Sequence, residues 1–383
     1  MSISQFRFPV DIRFGAGARI MLGEFAERFT VRKPLLITDG GLVKTEAFSL
    51  IIQTMEKIWP DSFERFTDVE LNPTDSNIDY AFEAYRKANC DGVVGVGGGS
   101  SIDAAKAMRL KVAFPDEDIL NMPYNKMPAR LTAFCAIPTT AGTGSEVGQS
   151  SVLTIKSLGR KAIIGSPLLK ADLAILDPEL TISLPSNLTA WTGMDAMVHA
   201  IEAFVVPVFH PFCDAIALEA IRIVWNYLPK AYKEGRDINA RGMMLVAAAM
   251  GATSFQKDLG AVHSMAHSLS TVCNIQHGLG NAICLKTVMN FNKEVCPEKY
   301  ARIAQCLGIN TYGMSDLEAS DSAIDAIGKL NKNLGIPDTL EQVGVKEEQL
   351  ILLAKKAFED PCHPSNPRPC TETDLLTLYR GIY

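Results

Sequence analysis

Up to about residue 182, short runs of apolar residues alternate with stretches of helical periodicity. The apolar runs predict β-strands, and turns rich in glycine, aspartate, proline or threonine follow several of them. The runs are Pro34–Thr38, Phe63–Val69, Gly92–Val96, Leu131–Ile137, Gln149–Ile155, Lys161–Gly165 and Leu173–Leu176. Strands that alternate with helices predict a parallel sheet, because parallel neighbours need long crossover connections.

Beyond Leu184-Pro185 the pattern changes to long segments with apolar residues at three- and four-residue spacing, which predicts helices. These segments are 186–204, 211–232, 238–255 and 317–334. We therefore predict an α/β domain of nucleotide-binding type over residues 1–183. An all-helical domain is predicted over residues 184–383.

Composition and charge narrow the classes of protein to be considered. The 383 residues suffice for two domains with separate cores, and a hydrophobic share of 47% is ordinary for a folded protein. A net charge of −6 argues against a nucleic acid or an anionic membrane as partner. We find no apolar stretch of membrane-spanning length and no cleavable signal sequence over residues 1–15. The nine cysteines form no CxxC pair, so we expect a reducing, cytoplasmic location.

Three of the six histidines, His263, His267 and His277, fall within fifteen residues. A fourth, His199, follows Asp195 by four residues, so a helix places both side chains on one face. One carboxylate with three imidazoles suits a first-row divalent ion such as Fe²⁺ or Zn²⁺. The spacing leaves His263 and His267 equally suited as ligands. It also leaves open that the histidines only cap or pack helices.

The segment Gly97-Gly98-Gly99-Ser100-Ser101 lies between a predicted strand and a predicted helix. Such a junction presents backbone N–H groups and the positive end of the helix dipole to an anion. The dinucleotide fingerprint GxGxxG is absent, so a tight structural turn is the alternative.

A second polar loop, residues 138–146, carries four hydroxyl groups and two glycines after the run Leu131–Ile137. Open α/β sheets bind ligands at this edge, so we expect the loop to contact a ribose or a phosphate; a plain surface turn is the alternative. Asp39 ends the first strand, where a carboxylate would accept hydrogen bonds from a ribose and repel a 2′-phosphate, favouring NAD over NADP. The alternative is a turn aspartate before Gly40-Gly41.

Together these motifs resemble the iron-dependent (group III) alcohol dehydrogenases over nearly the whole chain. The matching segments are Phe14–Gly17, Thr38-Asp39, Asn72–Thr74, Gly97–Ser100, Pro138–Glu146, Asp177-Pro178, Thr192–Ala196, His263–His267, His277-Gly278 and Asn366–Arg368. The resemblance implies a Rossmann-like NAD-binding domain followed by an all-helical metal-binding and catalytic domain, in the dehydroquinate synthase-like fold. It also implies an NAD-dependent alcohol dehydrogenase. Hydride would pass between NAD(H) and a small alcohol or aldehyde coordinated to a divalent metal, Fe²⁺ in the first place and Zn²⁺ in the second.

The resemblance also implies roles for individual residues. It selects His263 over His267, so that the implied metal ligands are Asp195, His199, His263 and His277. His267 would then lie near the reacting centre as a catalytic residue that helps relay a proton. The implied NAD(H) contacts are Asp39, Asn72, Gly97, Gly98, Gly99, Ser100, Thr139, Thr140, Thr143, Ser145 and Lys161. We further expect a homodimer whose other partner is the small-molecule substrate, with neither nucleic acid nor membrane.

Two segments depart from the family pattern, residues 254–258 and residues 268–271. We expect both to border the substrate pocket, with Phe255 as an apolar wall or, alternatively, as ordinary helix core. Gln256 or Lys257 would supply a polar face of the same wall. Lys257 and the two serines of the second segment would add polar groups, which leaves room for a charged or longer substrate. The sequence does not select one aldehyde.

Rival functions stay open at this point. Within the superfamily they are a zinc-dependent polyol dehydrogenase, a dehydroquinate-synthase-like cyclase and a hydroxyacid–oxoacid transhydrogenase that keeps its NAD bound. Assays with and without added NAD separate the last of these. A rival from another class is a non-catalytic NAD-binding sensor, which an intact set of metal ligands disfavours.

Overall fold

The computed structural model describes residues 10–119, 130–156 and 160–383. Contacts between Cα atoms divide the chain into two compact units. Of the described residues, the α/β unit contains 10–184 together with Arg236–Leu245, and the helical unit contains Pro185–Gly235 and Val246–Tyr383. The predicted domain boundary after residue 183 concerns parts that fold independently. A division by contacts does not test it, so it stays a prediction. Within the described ranges, no helix combines the length and the apolar character needed to cross a bilayer.

The strands of the α/β unit follow the apolar runs of the sequence closely. They are β1 (Ile12–Phe14), β2 (Pro34–Asp39), β3 (Glu64–Val69), β4 (Gly92–Gly97), β5 (Ala133–Pro138), β6 (Ser150–Ile155), β7 (Arg160–Gly165) and β8 (Leu173–Leu176). Six of them form one sheet in the order β1–β8–β5–β4–β2–β3. All neighbours in this sheet are parallel, as the alternation of strands and helices predicted.

Alternate residues of the same strands enter two separate apolar cores, one on each face of the sheet. Leu35 and Val93 belong to one core, whereas Leu36 and Val94 belong to the other. Strands buried on both faces read as continuous apolar runs, which explains why the sequence pattern was clear. The helices of this unit are α1 (Leu22–Phe29), α2 (Glu46–Ile58), α3 (Asp75–Ala88) and α4 (Gly99–Ala113).

The strand order reverses at β2 and β4. From β2 the chain proceeds to β3 on one side, and it then returns to β4 on the other side of β2. Ligands of open α/β sheets bind outside the carboxyl ends of the strands at such a switch point. Asp39 ends β2 and Gly97 ends β4, so both lie where the topology favours a ligand.

Strands β6 and β7 lie outside the main sheet and pair with each other. Their register is antiparallel, from Ser150 opposite Gly165 to Ile155 opposite Arg160. The sequence predicted both strands but not this separate ribbon, because the choice of a pairing partner depends on tertiary contacts rather than on local pattern.

Helices make up the other unit, and one of them, Ile238–Ser254, begins in the α/β unit, which contains its residues up to Leu245. They are α5 (Ser186–Val205), α6 (Pro211–Lys233), α7 (Ile238–Ser254), α8 (Ala261–Cys273), α9 (His277–Asn292), α10 (Pro297–Cys306), α11 (Asp316–Asn333), α12 (Leu350–Phe358) and α13 (Glu372–Arg380). Four of them coincide with the predicted helical segments to within one residue at each end. Helix α5 is buried along almost its whole length from Thr189 onwards, so any polar side chain on it faces protein.

Candidate metal centre and cofactor loops

Helix α5 supplies two predicted ligands from a buried face. Asp195 and His199 are 2% and 5% exposed, and their spacing of four residues puts them on the same side of the helix. Burying a carboxylate is costly unless it is paired, and burial accordingly raises the pKa of Asp195. A bound cation would offset that cost.

Helices α8 and α9 bring two more imidazoles to the same carboxylate. Oδ1 of Asp195 lies 3.4 Å from Nε2 of His277, 3.8 Å from Nε2 of His263 and 3.9 Å from Nε2 of His199. Ligand atoms of Asp195, His263 and His277 all lie within 4.8 Å of one another. Bonds of about 2.0–2.2 Å in a tetrahedral site separate neighbouring ligand atoms by about 3.3–3.6 Å. The distance to His277 lies in this range, and the distances to His263 and His199 exceed it by only a few tenths of an ångström, so the four residues lie close to the spacing of a first-row metal site. We call these four residues the ligand cluster.

Asn281, which the sequence did not single out, lies at the centre of the ligand cluster. Its Nδ2 donates to Oδ1 of Asp195 at 2.7 Å and lies 3.3 and 3.2 Å from Nε2 of His263 and His277. Its buried Oδ1 has no hydrogen-bond partner within the described ranges. Its two amide hydrogens face three acceptors, so at most one of the two ring nitrogens accepts from Asn281 beside Asp195; the nitrogen that accepts presents its lone pair, as a metal ligand must. The sequence signal was available, since Asn281 follows His277 by one helical turn.

Two further features keep His263 ready to bind a cation. Burial, followed by the neighbouring imidazoles, lowers its pKa well below the ordinary value, which favours the neutral ring. Its Nδ1 lies 2.6 Å from Oε2 of Glu202, another residue that the sequence analysis passed over. Burial raises the pKa of Glu202 to about 8, although backbone N–H groups at the start of α8 oppose this rise.

His267 lies one turn beyond His263 and outside the ligand cluster. Its ring stacks on that of His277, with centroids 5.2 Å apart, and Nδ1 lies 2.8 Å from Oδ2 of Asp360. Ser264 donates to the other oxygen of this carboxylate at 2.9 Å. The geometry therefore places His267 beside the ligand cluster with a carboxylate behind it, in the arrangement of a proton-relay imidazole.

Phe255 lies against the ligand cluster, and its predicted neighbours in the pocket do not. Its ring is partly exposed and its centroid is 5.1 Å from that of His199. Lys257, by contrast, is buried and donates to Asp214 and to the carbonyl oxygen of Phe204. The hydroxyls of the two serines in residues 268–271 donate to main-chain carbonyls at 3.1 and 2.9 Å. These three polar groups are engaged inside the protein, so the expectation of a charged or longer substrate loses its basis.

In the α/β unit, the glycine segment joins β4 to α4 with almost no loop. Gly97 has φ +143°, a conformation that favours glycine, and a Cβ there would lie 2.6 Å from Oγ of Ser101. A Cβ on Gly99 would lie 2.8 Å from Oγ1 of Thr143, so the polar loop of residues 138–146 packs directly on the helix start. Helix α4 has no side-chain cap and no acidic residue in its first turn. Its N-terminus therefore offers N–H groups to an anion.

The predicted cofactor residues of the polar loop differ in their surroundings. Thr139 is buried, and its N–H donates to the carbonyl of Gly97 at 2.9 Å. Thr140 lies over Gly98, where a Cβ would be 3.6 Å from its side chain. Ser145 points into the protein, because its Oγ donates to Asp103 and accepts from the buried Lys106 at 2.9 Å.

The remaining predicted cofactor residues lie near the switch point, except Lys161, whose side chain is not described. Oδ1 of Asp39 accepts from the N–H groups of residues 41 and 42 at 3.0 Å each, and Oδ2 accepts from Ser101 Oγ at 3.1 Å. Asn72 is exposed, and Ser100 donates to the carbonyl of the residue before it at 2.5 Å. Lys161 belongs to β7, but its side chain is not among the described parts of the chain.

Comparison with known proteins gives matches along both units. The family described as "Iron-containing alcohol dehydrogenase" matches residues 9–178, and "Fe-containing alcohol dehydrogenase family, C-terminal" matches residues 189–383. The NAD-dependent methanol dehydrogenase of Bacillus methanolicus is 36% identical over 380 residues, covering 99% of this chain and 100% of that protein.

Solved structures agree with these matches. A 1,3-propanediol oxidoreductase superposes with a TM-score of 0.94 at 34% identity, covering 100% of both chains. The sulfoacetaldehyde reductase of Bifidobacterium kashiwanohense, solved in complex with NAD⁺, superposes with a TM-score of 0.89 at 30% identity, covering 100% of this chain and 99% of that one.

Proposed function

The chain belongs to the iron-containing alcohol dehydrogenase family, and from this premise we propose that it is an NAD(H)-linked oxidoreductase in which the ligand cluster holds Fe²⁺. Membership of this family confirms the resemblance, the fold class and the metal-dependent alcohol–aldehyde chemistry that the sequence predicted. The pairing with NAD(H), the choice of iron over zinc and the roles of single residues are the proposal.

The convergence of buried ligand atoms carries the proposal. One oxygen of Asp195 faces three imidazole nitrogens at 3.4–3.9 Å, and the carboxylate is 2% exposed. A carboxylate with three neutral imidazoles leaves a net charge of about +1 on a divalent centre. When bound, such an ion acts as a Lewis acid, which lowers the pKa of an alcohol and polarises an aldehyde carbonyl.

The residues around the ligand cluster handle the proton and exclude water. Asp360 engages Nδ1 of His267, which leaves Nε2 as the ring nitrogen that gives or accepts the proton of the alcohol. The carboxylate stabilises the charged imidazole during that exchange. Phe255 gives the His199 side of the cluster an apolar, partly exposed wall against which a short carbon chain can pack.

The α/β unit would bind the cofactor at its switch point. Backbone N–H groups at the start of α4 suit the pyrophosphate, and the hydroxyls of Thr140 and Thr143 lie over the same helix start. Asp39 places a carboxylate beside it, held by Ser101, where it would accept from a ribose hydroxyl and repel a 2′-phosphate. We therefore propose NAD(H) rather than NADP(H).

The proposal is tested with protein loaded anaerobically with Fe²⁺ and assayed with NADH against a panel of two- to six-carbon aldehydes, neutral and anionic. We expect turnover that needs both the ion and added NADH, with neutral aldehydes preferred. A chelator-treated sample is the matched control. Equal turnover in that control would refute the metal role. Turnover of a hydroxy acid with an oxo acid and no added NADH would instead support a transhydrogenase.

We also propose a cytoplasmic homodimer. All nine cysteines are free thiols, and seven of them are buried, which fits a reducing compartment. Light scattering of the purified protein tests the assembly, with twice the chain mass expected.

A further inference from the structure

Helix α5 carries a third charged or metal-ligating side chain on its ligand face. Glu202 follows His199 by three residues and Asp195 by seven, so the three lie on one side of the helix. Glu202 is 3% exposed and is therefore buried, as Asp195 is, but its carboxylate makes different contacts.

Both carboxylate oxygens of Glu202 are used by the start of helix α8. Oε2 lies 2.6 Å from Nδ1 of His263, and Oε1 accepts from the N–H of Val262 at 2.7 Å. A Cβ on Gly260 would lie 2.9 Å from Oε1, so only glycine at that position leaves room for the carboxylate. The start of α8 is thus shaped around this side chain.

The contact with Nδ1 decides which face His263 offers to the ligand cluster. A hydrogen on Nδ1 that is donated to Glu202 leaves the lone pair on Nε2. Nε2 is the atom that lies 3.8 Å from Oδ1 of Asp195 and 3.3 Å from the amide nitrogen of Asn281. The other tautomer would place a hydrogen in the centre of the cluster and prevent coordination.

The charge of Glu202 also fits a cation at the ligand cluster. Among the described residues, neither a lysine nor an arginine forms an ion pair with Glu202. Its side-chain partner is the ring of His263, through the hydrogen bond at Nδ1, and the N-terminal end of the α8 dipole lies beside it. A divalent ion together with Asp195 and Glu202 sums to zero net charge, which suits a buried site.

We propose that Glu202 is the positioning residue of the metal centre: it holds His263 in the Nδ1–H tautomer and so sets the affinity of the ligand cluster for a divalent ion. This inference rests on the proposed function and deepens it. Carboxylates behind a metal-bound histidine tune affinity by about 10- to 100-fold in other metal sites.

The test compares Glu202→Gln with Asp360→Asn. Both exchange a carboxylate that faces Nδ1 of a histidine on α8 for an amide, but only His263 belongs to the ligand cluster. In Glu202→Gln, one orientation of the amide places its NH₂ group against Nδ1 of His263. The other orientation places the NH₂ group against the N–H of Val262, so that two donors face each other. The Kd for Zn²⁺ is measured by competition with a chromophoric chelator, and the melting temperature of each metal-free protein is recorded.

We expect Glu202→Gln to bind Zn²⁺ about 10- to 100-fold more weakly than the parent, with Asp360→Asn close to the parent. The metal-free melting temperature of Glu202→Gln should stay close to that of the parent, because glutamine keeps the size of the side chain and its oxygen can still accept from the N–H of Val262. Unchanged Zn²⁺ affinity in Glu202→Gln overturns the inference. Equal weakening in both variants, or weakening together with a large fall in melting temperature, also overturns it, since either result indicates a general effect of charge or packing. A parent protein that binds no Zn²⁺ refutes the metal centre itself, and with it this inference.

Discussion

Nδ1 of His267 lies 2.8 Å from Oδ2 of Asp360, and this contact helps to keep the carboxylate ionised. Burial works against ionisation of Asp360. The hydrogen bond and charge of His267, together with donors from the Cys362 N–H and Ser264 Oγ, nevertheless lower its pKa to about 2. The carboxylate is therefore ionised across the neutral range and fixed in place. A fixed anion behind an imidazole orients the ring and stabilises its charged form.

Asp360→Asn should therefore lower kcat by about 10- to 100-fold while the bound metal is retained. The amide keeps the size of the side chain but cannot stabilise a charged imidazole. Steady-state kinetics and metal analysis on the same preparation give the result. Ser264→Ala is the matched control, because it removes one donor to Asp360 and leaves the contact with His267; its loss in kcat should be smaller. A kcat for Asp360→Asn within twofold of the parent would remove His267 from proton transfer.

Asp39→Asn should relax the preference for NADH. The amide oxygen can still accept from the N–H groups of residues 41 and 42, so the turn is kept while the negative charge is lost. A like-charge contact at this kind of site is worth about 1–4 kcal/mol, so the ratio of kcat/KM for NADPH to NADH should rise at least about fivefold. Kinetics with both cofactors measure that ratio. Equal use of the two cofactors by the parent would show that Asp39 does not face a 2′-phosphate.

The sequence predicted the parts of this fold that local pattern controls. Strands β2 and β4 are buried on both faces and read as apolar runs. The three-residue strand β1 was missed because it is too short to show a period. The antiparallel pairing of β6 and β7 was missed because it is decided by tertiary contacts.

The same distinction between local pattern and tertiary contacts holds for the residues of the site. Asp195 and His199 were found because four-residue spacing is local information. Glu202 and Asn281 carry the same helical spacing, but their contacts join residues 61 and 86 positions apart, and sequence spacing does not report such contacts. Lys257 was misjudged because a lysine suggests a polar surface, whereas its buried side chain pairs with Asp214 and bonds to the end of α5.

Asp258→Gly should stabilise the protein. Asp258 has φ +93° and ψ −178°, a backbone conformation occupied almost only by glycine, and it is exposed. Such strain costs about 1–3 kcal/mol. Glycine relieves the strain, but its greater entropy in the unfolded chain offsets part of that gain. We expect a net gain of about 1 kcal/mol in the free energy of unfolding, measured by urea denaturation. Asn274→Gly is the control, since asparagine tolerates its φ of +55°, and its effect should be near zero. A loss of stability in Asp258→Gly would show that the aspartate is held there by interactions that outweigh the strain.

Glu146→Gln should stabilise the protein at pH 8 and have little effect at pH 5. Glu146 is buried, its Oε1 has no hydrogen-bond partner in the described ranges, and burial raises its pKa to about 7. A raised folded-state pKa means that the folded protein binds more protons between about pH 4.5 and pH 7, so stability falls as the pH rises through that window. Glutamine cannot ionise, and the variant should escape that fall.

A rise in pKa from 4.5 to about 7 corresponds to a gain at pH 8 on the order of 3 kcal/mol, and this pKa already includes the attraction between Glu146 and Lys106. Urea denaturation of parent and variant is carried out at both pH values. The difference between the two proteins in the free energy of unfolding is compared, because the titration of other groups cancels in that difference. An equal effect of the substitution at pH 5 and pH 8 would show that Glu146 does not titrate in this window.

Metal content after single-histidine substitution tests the central claim most directly. His277 and His267 have stacked rings 5.2 Å apart, so replacing either with alanine disturbs nearly the same volume, but only His277 belongs to the ligand cluster. Elemental analysis of Fe²⁺-loaded proteins should find His277→Ala nearly empty and without turnover, because three ligands hold a labile divalent ion much less well than four. His267→Ala should keep close to one iron per chain while turning over more slowly. Iron retained by His277→Ala and lost from His267→Ala would contradict the assignment of the metal centre.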